Sequence, residues 1–229
     1  GNHGTMSFDA TSSSAGFDTY FGRDEYANDS DYDGTWGIPD MPFLQFTAQT
    51  INEMRKPFAA AVFTLSSHHP FTIPHGYSVP EGSYRTEFEK TVRYADDSMK
   101  KFFETMSAYS WYDSTIFVFT ADHVCPEHHF EEYLNDYGQY RVPIAFYAPS
   151  VIEPEKTKIM AQQTDIGISI LAALGLNATI FTFGRNVFDS TEKTCFARFT
   201  NNIYLYCDGE DFIQNNGKET NGDFDIRND

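Results

Sequence analysis

The sequence predicts an α/β fold: a mainly parallel sheet with helices on both faces. Three short, nearly continuous apolar runs, at 57–65, 115–120 and 142–148, are typical of strands buried on both faces of a parallel sheet. Helical apolar patterns alternate with these runs, and such alternation favours parallel pairing. The chain has 229 residues, of which 41% are hydrophobic, enough for one domain with a substantial core.

Helices are predicted where apolar residues recur at helical spacing, at 40–54, 87–109 and 165–174. Near the end of the chain, 194–200 and 203–207 read as an antiparallel hairpin. Strands that alternate with helices place reactive groups beyond the carboxyl ends of the strands. The ends of the first two strands are therefore the places to look for chemistry.

We expect one domain that represents part of a larger catalytic fold. Its parts are a loop-rich beginning, a core, the hairpin, and a polar tail that frays. These parts cover 1–37, 57–190, 191–214 and 215–229. The chain opens Gly1-Asn2-His3-Gly4, without an initiator Met or a charged leader, so we expect the targeting information to lie upstream.

The charge of the chain narrows the classes of partner. With 33 acidic against 16 basic residues, the formal net charge is −17. Such a surface repels nucleic acid and anionic lipid, so neither is expected as a partner. An anionic substrate would need a local reversal of this field, which a bound divalent cation provides. No apolar run approaches the ~18 residues of a membrane span.

The cysteines predict neither a zinc ribbon nor a disulfide scaffold, because there are three and none forms a CxxC pair. Cys195 and Cys207 flank the predicted hairpin, and they either pair or remain two buried thiols. Cys125 lies close to several potential metal ligands, although a buried structural thiol is the commoner role.

Asp122 and His123 follow directly after the strand at 115–120. A carboxylate beside an imidazole on a rigid strand end is a suitable ligand pair for a divalent cation. The alternative is an Asp that caps the following turn beside a surface His, and the spacing alone leaves both interpretations open.

Two further pairs of histidines are candidates for substrate contacts. His68 and His69 end the first predicted strand, where an imidazole donates to a phosphoryl or sulfuryl oxygen or protonates a leaving group. A turn stabilised by hydrogen bonds before Pro70 explains them equally well. His128 and His129 follow Asp122 closely but fit no standard zinc spacing, so we favour substrate contact over metal ligation for them.

Several segments together resemble the lipoteichoic acid synthase group of sulfatase-like enzymes, in the order of that family. The resemblance spans most of residues 16–188, and the combination is more specific than any single piece. The segments that carry it are 63–71, 94–98, 102–103, 112–123, 131–133, 141–144 and 164–167, with Leu171, Leu174 and Gly175.

This resemblance implies an alkaline-phosphatase-like fold and a divalent metal ion, Mn²⁺, Mg²⁺ or Zn²⁺. It makes Asp122 and His123 two of the ligands and His68 a contact to the substrate head group. It also implies a phosphate or sulfate ester as substrate, lipid- or glycan-linked, and an extracytoplasmic location with a membrane-anchored parent protein.

In that family the nucleophile and another carboxylate ligand come from strands nearer the N-terminus, which have no counterpart here. The resemblance therefore implies that the N-terminal part of the fold is absent and that the chain is inactive alone. An exposed sheet edge, at the place where the absent strands belong, would favour pairing with another copy of the chain in a homo-oligomer. The early loop, at 6–9, lacks the Arg with which the family holds glycerol phosphate. Classical sulfatases also have a Lys that contacts the sulfate after the Asp-His pair, but no Lys lies between His123 and Arg141 here. We expect His128 or His129 to take the place of that Lys.

Two other classes of function stay open at this point. One is a non-catalytic extracellular domain that binds a glycan or lipid head group, which the lack of a nucleophile favours. The other is a metal site that only stabilises the fold. A structural metal would raise the melting temperature while mutation of His68 left substrate binding unchanged.

Overall fold

The computed structural model describes residues 1–126, 129–157, 159–191 and 195–225. The chain divides into two compact units, Gly1–Tyr112 and Asp113–Asp229. In this described part, no helix combines the length and the apolar character that crossing a membrane requires. The described strands all belong to the second unit, whereas the first unit is built from helices and loops.

Four α-helices form in the first unit. They are α1 (Phe8–Ser14), α2 (Arg23–Tyr26), α3 (Asp40–Glu53) and α4 (Glu87–Met106). The first two are short helices within the region predicted to be loop. The other two confirm the predicted helices, and they pack against each other.

The contact face of α4 carries buried polar residues. Thr91 and Ser98 have no exposed surface, and the Tyr94 side chain lies beside them, buried as well. The hydroxyl of Ser98 donates to the carbonyl of Tyr94 at 2.7 Å, and that of Thr91 donates to the carbonyl of Phe88 at 2.8 Å. Burial of these hydroxyls costs little because their own helix satisfies them.

Asp40, the first residue of α3, is almost fully buried, with 2% of its surface exposed. Its Oδ1 accepts hydrogen bonds from the backbone N–H groups of Leu65 at 2.8 Å and Ser66 at 3.0 Å. Among the described residues its Oδ2 has no hydrogen-bond partner. Burial raises the pKa of Asp40, and the two N–H groups offset only part of that effect.

The raised pKa of Asp40 predicts a specific pH dependence of stability. Above the unfolded pKa of about 3.9 and below the higher folded pKa, the folded state binds more protons, so the free energy of unfolding falls as pH rises. Asp40→Asn keeps an acceptor oxygen but has no carboxyl group to titrate, so its free energy of unfolding does not fall with pH for this reason. Urea unfolding over a pH series will show the variant gaining stability relative to wild type as pH rises. A constant difference would contradict this explanation.

The apolar run at 57–65 is not a strand, contrary to the prediction. The structure assigns it no strand, and Val62 and Phe63 are 41% and 50% exposed. A strand requires a neighbour about 4.8 Å away to pair its backbone groups. The first unit, every residue of which is described, contains no strand to serve as that neighbour.

The second unit contains two of the predicted strands, in an unexpected orientation. β1 (Phe117–Thr120) and β2 (Ile144–Tyr147) pair antiparallel, with Phe117 opposite Tyr147 and Thr120 opposite Ile144. The expectation of parallel pairing is corrected here. Parallel neighbours need a crossover connection, usually a helix. The described part of the connection holds only 3-10 turns, at Glu131–Tyr133 and Gly138–Tyr140.

The C-terminal hairpin is confirmed and is part of a larger sheet. β3 (Phe196–Thr200), β4 (Ile203–Cys207), β5 (Asp211–Asn215) and β6 (Thr220–Asp225) form an antiparallel sheet in chain order. Leu205, Cys207 and Phe212 form its buried core.

The tail predicted to fray contains β6, which corrects that expectation. Its Asn and Gly residues build a turn: Asn215 Oδ1 accepts from the N–H of Gly217 at 2.7 Å, and Asn216 Oδ1 accepts from Lys218 at 2.9 Å. Gly217 has φ +87°, a conformation that favours glycine. Composition that indicated disorder is here the composition of a hairpin turn.

Helix α5 (Gln163–Ala173) confirms the third predicted helix, and side chains fix its beginning. The buried carboxylate of Asp165 accepts from the N–H of Gln162 at 2.8 Å and from the N–H of Arg185 at 2.8 Å. The hydroxyl of Ser169 accepts from the N–H of Val187 at 3.0 Å. These contacts tie the segment 184–187 to the first turns of α5.

Gly184 is required by this contact. A Cβ there would lie 2.0 Å from the carbonyl oxygen of Thr164, which belongs to the backbone. We expect Gly184→Ala to lower the free energy of unfolding by about 1–3 kcal/mol. Gly167→Ala is the matched control within α5, where a Cβ meets nothing within 4 Å, and should raise it by about 0.5–1 kcal/mol. Equal urea midpoints for both variants would contradict this account.

Candidate active site

Asp122 and His123 converge at the end of β1. Both side chains are exposed, and Nε2 of His123 lies 3.5 Å from Oδ2 of Asp122. Oδ1 of Asp122 accepts a hydrogen bond from the backbone N–H of His123 at 2.9 Å. Neighbours along a regular strand point to opposite faces, but these two follow its last residue, Thr120, where the chain turns.

The ring of His123 is held in one tautomer. Its Nδ1 lies 2.9 Å from the carbonyl oxygen of Val124. Because a carbonyl oxygen only accepts, Nδ1 carries the proton and Nε2 of the neutral ring keeps its lone pair. Histidines that bind metals in proteins commonly donate their other N–H to a carbonyl in this way. A lone pair and a nearby carboxylate oxygen fit a divalent cation.

These two side chains alone would not complete a metal site. Within the described ranges, no group of three or more His, Cys, Asp or Glu residues is placed to hold a metal ion. Zn²⁺ takes about four ligands and Mg²⁺ about six, although water fills some of these positions. Metal binding by Asp122 and His123 therefore stays a prediction.

Gln163, the first residue of α5, fixes the backbone that carries this pair. Its Nε2 donates to the carbonyl oxygen of Ala121 at 2.7 Å and to that of Asp122 at 3.1 Å. One amide group thereby holds two consecutive carbonyls at the end of β1. Gln163 could not be predicted from the sequence, because it is 41 positions from Asp122 and belongs to no motif.

The contact of Gln163 predicts an effect on metal affinity. Gln163→Leu removes both hydrogen bonds, and we expect divalent-metal affinity to fall by about 10-fold, as losses behind metal ligands commonly cause. Calorimetric titration with Mn²⁺ measures it. The matched control is Gln139→Leu, whose exposed amide donates to the carbonyl of Asp136. If both variants bound Mn²⁺ like the wild type, Gln163 would have no part in the site.

His68 lies in the first unit and is also held through Nδ1. This atom lies 2.8 Å from the carbonyl oxygen of His69, so Nε2 keeps its lone pair when the ring is neutral. The ring of Trp36 packs against it, with 4.2 Å between the ring centroids. Trp36 also donates from Nε1 to the same His69 carbonyl at 2.7 Å. An exposed imidazole fixed in this way is able to contact an ester oxygen.

The remaining predicted histidines differ from His68. The ring of His69 meets the buried Phe71 edge-on, with 5.7 Å between centroids, which favours a packing role. His129 is exposed, and His128 lies outside the described residues. Cys195 is a thiol that accepts from Arg185 Nη2 at 3.1 Å, and Cys207 is a buried thiol.

A titratable cluster near the N-terminus was not predicted from the sequence. Nε2 of His3 lies 3.0 Å from Oε1 of Glu25, and this hydrogen bond raises the pKa of His3. Nδ1 of His3 lies 3.9 Å from Oδ2 of Asp9. The 22 positions between His3 and Glu25 hide the pair from any local pattern. It places an imidazole with a raised pKa among carboxylates.

The fold agrees with what comparison with known proteins finds. The sulfatase family model matches residues 2–176, more than half of the chain. The chain therefore belongs to the sulfatase family.

Curated relatives give the same answer. The chain is 25% identical over 228 residues to the lipoteichoic acid synthase-like protein YvgJ of Bacillus subtilis, covering 89% of this chain and 37% of the relative. It is 25% identical over 207 residues to lipoteichoic acid synthase 2 of the same organism, covering 83% and 32%. The chain thus spans about a third of the length of these relatives, and the predicted family resemblance is confirmed.

Solved structures confirm the predicted fold class. A Vibrio parahaemolyticus protein of the alkaline phosphatase superfamily has a TM-score of 0.76 at 22% identity, covering 93% of this chain and 55% of the other. The lipoteichoic acid synthase LtaP of Listeria monocytogenes has a TM-score of 0.78 at 20% identity, covering 93% and 57%. The chain has an alkaline-phosphatase-like α/β fold, with the strand pairings described above.

Proposed function

We propose that this chain supplies part of the active site of a metal-dependent enzyme that transfers or hydrolyses phosphate esters at the extracytoplasmic face of the cell. The observation that carries the proposal is the strand-end pair: a lone pair on Nε2 of His123, fixed by the Val124 carbonyl, 3.5 Å from a carboxylate oxygen of Asp122. Sulfate esters are the second substrate class, since the family model is named for sulfatases.

In this proposal Asp122 and His123 bind a Mn²⁺, Mg²⁺ or Zn²⁺ ion. When bound, such an ion supplies Lewis acidity toward the ester and the nucleophile. The negative charge of Asp122 attracts the cation within a chain of net charge −17, and the ion in turn makes the site tolerant of an anionic substrate. His123 contributes its lone pair and keeps its proton on the Val124 carbonyl.

His68 contacts the ester oxygens in this proposal. Its Nδ1 is committed to the His69 carbonyl, so Nε2 is the atom that meets the substrate. In the protonated ring, Nε2–H donates a hydrogen bond to a phosphoryl oxygen or a proton to the leaving oxygen. The nucleophile comes from outside these 229 residues, so the chain alone binds substrate without turning it over.

The preference for phosphate rests on the curated relatives, which are named as lipoteichoic acid synthases. We propose a lipid- or glycan-linked phosphate ester as the substrate class. The parent protein is membrane-anchored in this proposal, as an enzyme that works on lipid-linked material requires.

The test is hydrolysis of chromogenic phosphate monoesters, phosphate diesters and sulfate esters with added Mn²⁺, Mg²⁺ or Zn²⁺. The complete gene product and the 229-residue chain are assayed side by side. We expect the complete gene product to turn over a phosphate ester in a metal-dependent reaction, and the 229-residue chain to turn over none of the esters. Turnover by the chain alone would show that its own Ser or Thr residues supply the nucleophile, and metal-independent turnover would contradict the proposal.

A binding domain without chemistry is the second candidate. It is favoured because the described residues contain no group of three or more His, Cys, Asp or Glu side chains placed to hold a metal ion. Binding of glycerol phosphate by the complete gene product, with no turnover of any ester, would establish it.

A further inference from the structure

His68 lies in a tight turn that the segment 33–40 holds from both sides. The turn, residues 65–69, begins with the N–H of His68 donating to the carbonyl of Leu65 at 3.1 Å. On its N-terminal side, Asp40 accepts from Leu65 and Ser66, while the N–H of Asp40 donates to the Ser66 hydroxyl at 2.9 Å. This exchange is a reciprocal clamp between two segments about 25 residues apart.

On its C-terminal side, the same segment contributes Trp36. The indole N–H of Trp36 and the Nδ1–H of His68 share the carbonyl oxygen of His69, at 2.7 and 2.8 Å. The indole ring also packs on the imidazole. Because the His69 carbonyl accepts both hydrogen bonds, its orientation toward the Nδ1–H group of His68 is fixed.

The segment 33–40 is itself rigid enough to hold the turn. Oδ1 of Asp33 accepts from three consecutive backbone N–H groups, those of Thr35, Trp36 and Gly37, at 2.7–3.0 Å. The N–H of Asp33 donates to the carbonyl of Gly37 at 2.9 Å. The backbone that carries Trp36 is thus closed on itself, and Asp40 follows at the start of α3.

The contacts of Asp40 are not those of an ordinary helix cap. A carboxylate at a helix start usually accepts from amides of its own first turn. Here both bonds reach to Leu65 and Ser66, and the N–H of the next residue, Met41, donates to the hydroxyl of Tyr94 instead. The buried carboxylate of Asp40 therefore stabilises the 65–69 turn and not the first turn of its own helix.

We infer that Asp40 and Trp36 are positioning residues for His68, and that they hold it as the Nδ1–H tautomer so that Nε2 faces the substrate. The inference deepens the proposed function, because it assumes that His68 contacts the ester. Neither residue touches the substrate. Asp40 acts through the backbone of the 65–69 turn, and Trp36 acts through the His69 carbonyl and by packing on the imidazole.

The test is NMR of the His68 ring nitrogens, which report the tautomer directly. We expect the wild-type chain to show a protonated Nδ1 and an unprotonated Nε2 at a pH where the ring is neutral. Asp40→Ala and Trp36→Phe should move the nitrogen shifts toward a mixture of both tautomers. Asp40→Asn, which keeps the acceptor oxygen, should restore the wild-type pattern.

A control separates positioning from loss of stability. Leu44→Ala removes a buried side chain of the same helix that makes none of the hydrogen bonds to the 65–69 turn described above, so it should destabilise the fold and leave the His68 tautomer unchanged. Wild-type tautomer shifts in Asp40→Ala, or tautomer mixing in Leu44→Ala equal to that in Asp40→Ala, would overturn the inference.

A second titration keeps the inference apart from the proposed function. Glycerol phosphate is added to wild type and to Asp40→Ala while the His68 nitrogen shifts are recorded. We expect wild-type Nε2 to shift and the response of Asp40→Ala to be several-fold weaker. If the variants change the tautomer but glycerol phosphate moves no His68 resonance in wild type, the substrate contact fails while the positioning contacts stand. Equal responses in both proteins would overturn the positioning role.

Discussion

We expect Asp122→Asn to abolish metal-dependent ester turnover in the complete gene product and to weaken Mn²⁺ binding by more than about 100-fold, because losing a partner behind a ligand already costs about 10–100-fold. The amide keeps the size of the side chain and removes the charge that binds the cation. Calorimetry with Mn²⁺ and the chromogenic assay measure the two effects.

The control for Asp122 is Asp18→Asn, which removes an exposed carboxylate in the other unit. It changes the net charge by the same amount, so it corrects for the general field of the chain. Wild-type Mn²⁺ affinity in Asp122→Asn, or an equal loss in Asp18→Asn, would show that the cation is not bound by this carboxylate.

His68→Gln should lower kcat/KM by about 10²–10⁴-fold, the usual contribution of a positioned acid–base group. In the wild-type protein, Nε2 of His68 is the ring nitrogen that remains for the substrate, because Nδ1 donates to the His69 carbonyl. Steady-state kinetics with the preferred chromogenic ester measures the loss.

The neighbouring residue is the matched control for His68. His69→Gln alters a ring that packs on Phe71, and its backbone carbonyl, which holds His68, remains. We expect a loss of less than about 10-fold, well below the acid–base contribution. If the His69 variant lost as much as the His68 variant, the assignment of the two rings would be reversed.

Helices α3, α4 and α5 were predictable because their apolar residues recur at helical spacing. The buried face of α4 was less so. Apolar Val92 is 44% exposed on this helix, whereas Thr91, Tyr94 and Ser98 are buried. Hydrogen bonds of the hydroxyls of Thr91 and Ser98 to their own helix make that burial cheap, and hydropathy does not reveal them.

Strand pairing could not be read from composition. The apolar runs at 115–120 and 142–148 are strands, but their antiparallel order depends on a connection without a crossover helix in its described part. The equally apolar run at 57–65 is not a strand, because pairing depends on a neighbour and not on the run itself.

The candidate site residues stood out in the sequence because each follows an apolar run that was predicted to be a strand. Asp122 and His123 do follow a strand, whereas the run before His68 is not one, and the roles of all three stay predictions. Gln163, Trp36 and Asp40 did not stand out, since their roles arise from contacts with residues far away in the sequence. Their side-chain types are common in structural roles, and only the distances distinguish them.

The most direct test of the central claim is a crystal structure of the complete gene product grown with Mn²⁺, with the metal located by anomalous scattering. We expect Mn²⁺ at about 2.0–2.3 Å from a carboxylate oxygen of Asp122 and from Nε2 of His123, with Nδ1 of His123 still donating to the Val124 carbonyl. An anomalous peak on other side chains, with Asp122 and His123 in contact only with solvent, would contradict it.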